Sequence, residues 1–299
     1  MRLTVVLGEW LDRPVSADLD VAVAADRLGY PEVWIGEMAK LDAPAMGAIV
    51  VAATEQIEPC LGPLAVTVRS PAQIALAVAT VAAAGRRTHV ALGTSSDAVA
   101  RWHGRSRAGA VDRLRSTTHE VRALLDGERV DGFRLRRPPV GTTITVAAFG
   151  PRAVDAAGTA DRMVLNMVTV EAATRLAARH SNTAVWLAAA VTPTDEERRW
   201  LTLGYVGYLG APGYADMFEE AGFGELVAFA RARPRPHPKE LAMRLPVELL
   251  DAVALVGSES AVQHRIDEYA AAGITEIGLV VPPLDLPAGR RTLEALAPN

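Results

Sequence analysis

One cysteine, Cys60, and two lysines, Lys40 and Lys239, stand in a chain of 299 residues. A lone cysteine excludes an intrachain disulfide and any cysteine-built zinc site, and it suits a reducing cytoplasm. The scarcity of lysine leaves nearly all positive charge on arginine. It also counts against the Schiff-base aldolases, which need a lysine at a strand end. The net charge is only −4 and the positives form no stripe, so nothing favours a polyanionic partner. The densest stretch, Arg129 to Arg137, is broken by acids and ends against two prolines. No window approaches about eighteen uninterrupted apolar residues. The run Met1 to Leu7 reaches Gly8 and Glu9 at once, without the length or cleavage pattern of a signal peptide. These absences lead to the expectation of a soluble cytoplasmic protein that binds neither nucleic acid nor membrane.

Several catalytic signatures are missing as well. There is no Walker A loop, no Gly-x-Gly-x-x-Gly after a strand, no His-Glu-x-x-His and no Gly-x-Ser-x-Gly. The six histidines are scattered without ligand spacing, and no metal is expected.

What is present is a rhythm. Short apolar runs, not strictly alternating, mark strands buried on both faces. Eight stand out: Leu3 to Leu7, Glu32 to Gly36, Cys60 to Val68, Thr88 to Gly93, Thr143 to Ala148, Met163 to Asn166, Ala184 to Val191 and Glu276 to Val281. Helical stretches separate them. Ser16 is positioned to cap the first, which ends at Gly29; Pro44, Pro71 and Pro151 open others, and Ser258 with Glu259 opens the last, closed by Gly273. Eight β–α units favour a closed (β/α)8 TIM barrel, a single domain over 1–299, with an open doubly wound sheet as the alternative. Insertions follow strand 4 (Arg101 to Ala108, with the loop Gly127 to Gly141) and strand 7 (Thr194 to Leu250).

A barrel puts its chemistry at the C-terminal ends of its strands. Those ends carry glycines, hydroxyls and few charges, which describes a pocket for a large ligand. Gly93-Thr94-Ser95-Ser96-Asp97 presents backbone N–H groups and hydroxyls to an anion, or else simply caps a helix through Ser or Asp. Gly150-Pro151-Arg152 offers a helix start with an arginine fork for phosphate, or a solvent-facing arginine. Trp102-His103-Gly104-Arg105 lies over the mouth, and His103 exchanges protons near neutral pH. Glu9 and Glu37 end neighbouring strands, so glycoside hydrolysis by paired carboxylates is a weak further option. Asn166 ends strand 6.

The segment Leu28-Gly29-Tyr30-Pro31-Glu32-Val33-Trp34-Ile35-Gly36-Glu37 resembles the second strand of luciferase-like monooxygenases and F420-dependent oxidoreductases. Leu61-Gly62-Pro63 through Arg69-Ser70-Pro71-Ala72, Ala91-Leu92-Gly93-Thr94-Ser95-Ser96 and Ala147-Ala148-Phe149-Gly150-Pro151-Arg152 resemble later units, as do Ala160-Asp161 through Asn166 and Val256-Gly257-Ser258 with Tyr269 to Ile274, in order over nearly the whole chain. Three places depart from the family pattern: Ala84-Gly85-Arg86-Arg87, Asp161-Arg162, and a stretch between Pro63 and Arg69 about two residues short. The resemblance implies a bacterial-luciferase-like barrel that cradles the deazaflavin F420, or alternatively FMN, at its mouth. It implies ring contacts at Glu37, Ala65, Val66 and Thr67, ribityl or phosphate contacts at Gly93, Thr94 and Ser95, and a phosphate tail at Gly150, Pro151 and Arg152. It further implies a non-proline cis peptide within Leu64 to Val66, and a homodimer through the second and third units. The expected activity is hydride transfer between F420 and a small organic substrate, with His103 and Glu9 as candidate proton donors. An FMN monooxygenase and a cofactor-binding barrel without turnover are the alternatives.

Overall fold

The computed structural model describes residues 1–7 and 14–298. Strands apolar on both faces need cover on both, and parallel strands need a crossover between them. A ring of strands inside a ring of helices meets both demands. β1 (Arg2–Leu7), β2 (Glu32–Ile35), β3 (Glu58–Ala65), β4 (His89–Gly93), β5 (Ile144–Ala147), β6 (Arg162–Asn166) and β7 (Thr183–Val191) pair in chain order, all parallel. After a short β8 (Ala254–Gly257), β9 (Glu276–Val280) pairs with β7 on one edge and β1 on the other. That closes a TIM barrel whose eight ring strands are the eight apolar runs of the sequence.

β8 has no counterpart among those runs. It pairs only with Ala188 to Val191 of β7, while β9 takes Ala184 to Ala188 of the same strand. Its four residues follow α12 (Glu248–Val253) without a break, so no turn residue announces it. Between β1 and β4 the covering helices are α1 (Val15–Arg27), α2 (Ala43–Ala53) and α3 (Pro71–Ala82). Ser70 and Gln73 form a reciprocal capping box on α3. At α1 the expected Ser16 cap is replaced: the helix starts at Val15 behind Pro14, with no side-chain cap. Proline's fixed φ already suits the helix entry. α4 (Asp97–Trp102) and α5 (Ala110–Leu125) follow β4, and α6 (Pro151–Ala157) and α7 (Val170–Ala177) follow β5 and β6. The insertion after β7 carries α8 (Asp195–Leu203), α9 (Tyr214–Phe218), α10 (Gly224–Ala230), α11 (Pro238–Arg244) and α12; α13 (Glu259–Ala271) and α14 (Pro287–Ala295) complete the outer layer.

β3 departs from expectation twice. The strand stops at Ala65, because the Ala65 carbonyl accepts from both Val68 and Arg69 and turns the chain. The cis bonds among the described residues precede prolines, at Gly62–Pro63 and Arg233–Pro234, and none falls within Leu64 to Val66. The irregularity sits at Gly62–Pro63 instead, where ladder partners jump from Leu61–Val90 to Leu64–Leu92. Gly62 holds φ +110°, and a Cβ there would lie 2.5 Å from the Ala91 carbonyl oxygen, so only glycine fits this bulge.

The parallel register sends alternate residues inward. Val6, Trp34, Cys60, Ala91, Val164 and Ala184 form their own apolar cluster inside the ring, apart from the larger one between ring and helices. Among the described residues no helix is long and apolar enough to cross a membrane, and no group of His, Cys, Asp and Glu is placed to hold a metal ion.

Candidate functional site at the barrel mouth

The N-terminal end of the barrel is sealed by charge. β2, β3, β4, β6 and β9 each begin with a titratable residue: Glu32, Glu58, His89, Arg162 and Glu276. Arg162 donates to Glu32 and Glu276, both at 2.6 Å, and to the Thr145 hydroxyl at 3.0 Å. Arg2 reaches the same two carboxylates from outside, and the Trp34 indole N–H donates to Glu276 at 3.0 Å. Thr143 N–H donates to His89 Nδ1, so Nε2 keeps the proton and gives it to Glu58. Burial pushes the Glu32 carboxyl up, but the charge and hydrogen bond of Arg162, with His89 and Arg2 behind them, hold it below the ordinary value. Burial likewise pushes the Cys60 thiol well up, which leaves it unreactive. Glu32, His89, Arg162 and Glu276 are each no more than 4 % exposed. Solvent therefore enters the ring only from the other end.

At that other end small residues, Ala65, Gly93 and Ala147, face one bulky one, Trp186, which meets Trp34 edge-on at 5.4 Å between ring centres. Ala65 pairs with Gly93, and a Cβ on Gly93 would meet Pro63 at 3.3 Å and Ala147 at 3.5 Å. Ala147, Asn166, Trp186 and Val280 are partly exposed at this end. Among the described residues, two buried polar atoms here have no hydrogen-bond partner, Thr67 Oγ1 and Trp186 Nε1. Buried polar atoms are rarely left so in the absence of a ligand. Three non-glycine residues just past strand ends, Ser95, Met167 and Thr192, hold left-handed φ of 54°, 52° and 48°. Such conformations gather at functional sites.

The β4 turn divides its labour. Ser96 caps α4, accepting from Val99 N–H. Thr94 and Ser95 are held by a residue that sequence reasoning missed: Arg107 donates from Nε to the Ser95 carbonyl at 2.7 Å and from Nη2 to the Thr94 hydroxyl at 3.0 Å. Its partners are neutral, so its charge stays available beside the turn. Val66 N–H donates to the Gly93 carbonyl, which brings 65–67 and 93–95 together as one wall.

A second group joins Asn166, a candidate from the sequence, to the insertion expected over the mouth. Asn166 Nδ2 donates to the Tyr214 hydroxyl at 3.3 Å, and Tyr214 lies against Phe149 at 4.4 Å and Tyr208 at 5.0 Å between ring centres. Gly213 has φ +84°, and a Cβ there would meet the Phe149 ring at 2.7 Å. The β7 insertion thus lays an aromatic wall over the ends of β5 and β6. Its sequence signal was a tyrosine-rich stretch with no marked spacing.

The remaining candidates lie elsewhere. Glu37 sits at the end of β2 but gives both carboxylate oxygens to Arg69, which also holds Asp42. The Glu37 hydrogen bond keeps the Arg69 guanidinium firmly protonated. Arg152 is exposed and pairs with Asp112 of α5 at 3.2 Å, while Gly150 and Pro151 begin α6 at the mouth. His103 ends α4 and is exposed. Glu9 lies outside the described residues.

The sequence model of a family described as luciferase-like monooxygenase matches residues 7–276. The chain belongs to that family. A search of curated proteins finds no match. Among solved structures, the coenzyme F420-dependent tetrahydromethanopterin reductase of Methanopyrus kandleri is similar, with TM-score 0.81 and 15 % identity, covering 99 % of this chain and 97 % of its own. An F420-dependent secondary alcohol dehydrogenase in complex with an F420–acetone adduct gives 0.75 and 17 %, covering 98 % and 97 %. The oxygenating constituent of 3,6-diketocamphane monooxygenase from Pseudomonas putida, a type II Baeyer–Villiger enzyme in complex with FMN, gives 0.71 and 18 %, covering 99 % and 96 %. At these identities the likeness establishes the luciferase-like barrel.

Proposed function

We propose that this protein is an F420-dependent oxidoreductase that moves a hydride between deazaflavin and a small organic substrate. The observation that carries the reading is a group of small residues, Ala65, Gly93 and Ala147, beside a cation-backed turn at the ends of β3 to β5. A flat ring needs a floor without bulk, and Ala65, Gly93 and Ala147 leave one. A phosphorylated tail needs N–H groups, hydroxyls and a cation, and Gly93, Thr94, Ser95 and Arg107 supply them; Gly150 and Pro151 at the start of α6 add a second helix entry. Val66, Thr67 and Asn166 complete the wall, and the unpartnered Thr67 hydroxyl is a donor such a ligand satisfies. Arg152, turned to Asp112, has to leave that pair to reach a tail.

When bound, F420 supplies the hydride chemistry; the chain orients it, keeps water from it, and handles the accompanying proton. We assign that proton to Glu9 or to His103. F420 is preferred to FMN because the two F420-dependent structures superpose better, with TM-scores of 0.81 and 0.75 against 0.71 for the FMN-bound monooxygenase. The FMN-bound monooxygenase supports the second reading, an oxygen-using flavin enzyme. Titrating the protein with F420 and with FMN, followed by fluorescence, tests the choice: tighter binding of F420 supports the proposal, and binding of FMN alone overturns it. Binding without turnover of any ketone, enone or alcohol would leave a barrel that only carries the cofactor.

We also propose a homodimer through α2 and α3. Ile49 and Leu76 are each 47 % exposed on these helices, which is unusual for large apolar side chains in a covered layer.

A further inference from the structure

We infer that Tyr214 is a specificity-determining residue, and that with Asn166 and Phe149 it forms the site for an uncharged, planar substrate bearing one oxygen, an aryl or conjugated ketone or the matching alcohol. The inference deepens the proposed function and rests on it for the chemistry performed.

The placement follows from register. Asn166 faces inward as the register partner of Trp186, whereas Phe149, just past the end of β5, packs on the side of the ring–helix cluster together with Tyr208 and Tyr214. Tyr214 touches both Asn166 and Phe149, so the insertion delivers its ring to the rim between them. Phe149 and Tyr214 are tilted by 31° at 4.4 Å, and Tyr208 meets Tyr214 edge-on at 61°. Together they give an extended aromatic face, which selects flat apolar surface. The left-handed Gly213 lets the backbone come that close to Phe149.

One polar pair interrupts the wall. Asn166 Nδ2–H fills a lone pair of the Tyr214 hydroxyl at 3.3 Å, and the phenolic hydrogen is then free to meet an acceptor oxygen. A pocket with few polar groups reads the position of a single oxygen. Among the described residues, the hydrogen-bond and ring partners of Phe149, Asn166 and Tyr214 are uncharged. Arg107 is bound to the β4 turn, one strand from Phe149 and two from Asn166, with its donors given to Thr94 and Ser95. A carboxylate substrate would lose its hydration against aromatic carbon without a counter-charge, which is strongly unfavourable.

Saturation-transfer NMR on the intact protein tests this with four probes: acetophenone, 1-phenylethanol, ethylbenzene and benzoate. Wild type is expected to bind the ketone and alcohol best, ethylbenzene more weakly and benzoate least. Tyr214→Phe keeps the stack and removes the hydroxyl; ketone and alcohol affinity should fall about three- to tenfold, the loss of one hydrogen bond, with ethylbenzene unchanged. Tyr214→Ala should weaken all three neutral probes, and circular dichroism of both variants checks folding. Benzoate binding as tightly as acetophenone, or ketone affinity unmoved by Tyr214→Phe, overturns the inference, as does absence of binding by every probe. Cofactor binding is read separately by fluorescence, so probes that behave as expected on a protein that takes neither F420 nor FMN would overturn the functional reading and leave the site.

Discussion

The guanidinium carbon of Arg162 stands 4.1 Å from the centre of the Trp34 ring. Above the arginine is an indole, beside it are Glu32 and Glu276, and the whole arrangement is shut inside eight strands. Arg162 puts a cation where two buried carboxylates need one.

Replacing Arg162 with Met leaves Glu32 and Glu276 buried with Arg2, at the solvent edge, and the more distant His89 to answer them. Loss of one partner from a buried ion cluster costs about 3–5 kcal/mol, which urea denaturation at pH 7 should show. Glu32→Gln with Glu276→Gln in the same background should recover part of it.

The floor also fixes a pH dependence. The Glu32 pKa is depressed in the folded state below its ordinary 4.5, so the unfolded chain binds more protons in that window. Its contribution is whole above pH 4.5 and fades as pH falls through the folded value. In Arg162→Met the buried carboxylate lacks that support and takes up a proton more readily. The stability gap between wild type and variant should therefore narrow on acidification from pH 7 to pH 4.5. A gap that widens contradicts the account.

Arg107→Met removes the charge behind Thr94 and Ser95. Hydrogen bonds involving a charged group contribute about 1.5–3 kcal/mol, so affinity for a phosphorylated cofactor should drop at least roughly tenfold. The dephosphorylated forms, riboflavin or the F420 chromophore without its tail, should lose far less. Equal losses would place Arg107 outside the tail site.

Ala147 is partly exposed on the interior side of β5, so Ala147→Phe should abolish ring binding, read by cofactor fluorescence, with a thermal melt beside it to separate lost binding from lost folding.

Glu37→Gln tests whether that carboxylate titrates in the reaction or braces the β2 end. Its two oxygens are already given to Arg69, so the variant should lose about 1–2 kcal/mol of stability, as for a charged hydrogen bond. Any acid limb in a pH–rate profile should stay where it is.

Ile49→Arg with Leu76→Arg should convert a dimer to a monomer in analytical ultracentrifugation. A protein monomeric before substitution removes the proposed interface.

The rhythm of apolar runs determined the barrel, because parallel strands buried on both faces leave a pattern that local sequence carries. Proline and serine at helix starts set α2, α3, α6 and α13 for the same reason: a cap needs only its own neighbours. Tertiary structure alone decided the rest. Thr94 and Ser95 were legible as a turn, but Arg107 joined them only because α4 and its loop fold back. Asn166 was legible as a strand end, whereas Tyr214, 48 positions on, reached it through an insertion without periodic signal. β3 ended at Ala65 although its apolar run continued, since hydrogen bonding across the turn outweighed β propensity. Glu32, Arg162 and Glu276 each looked like a strand's edge in sequence. Closure of the ring made them neighbours, and burial without water made their pairing compulsory.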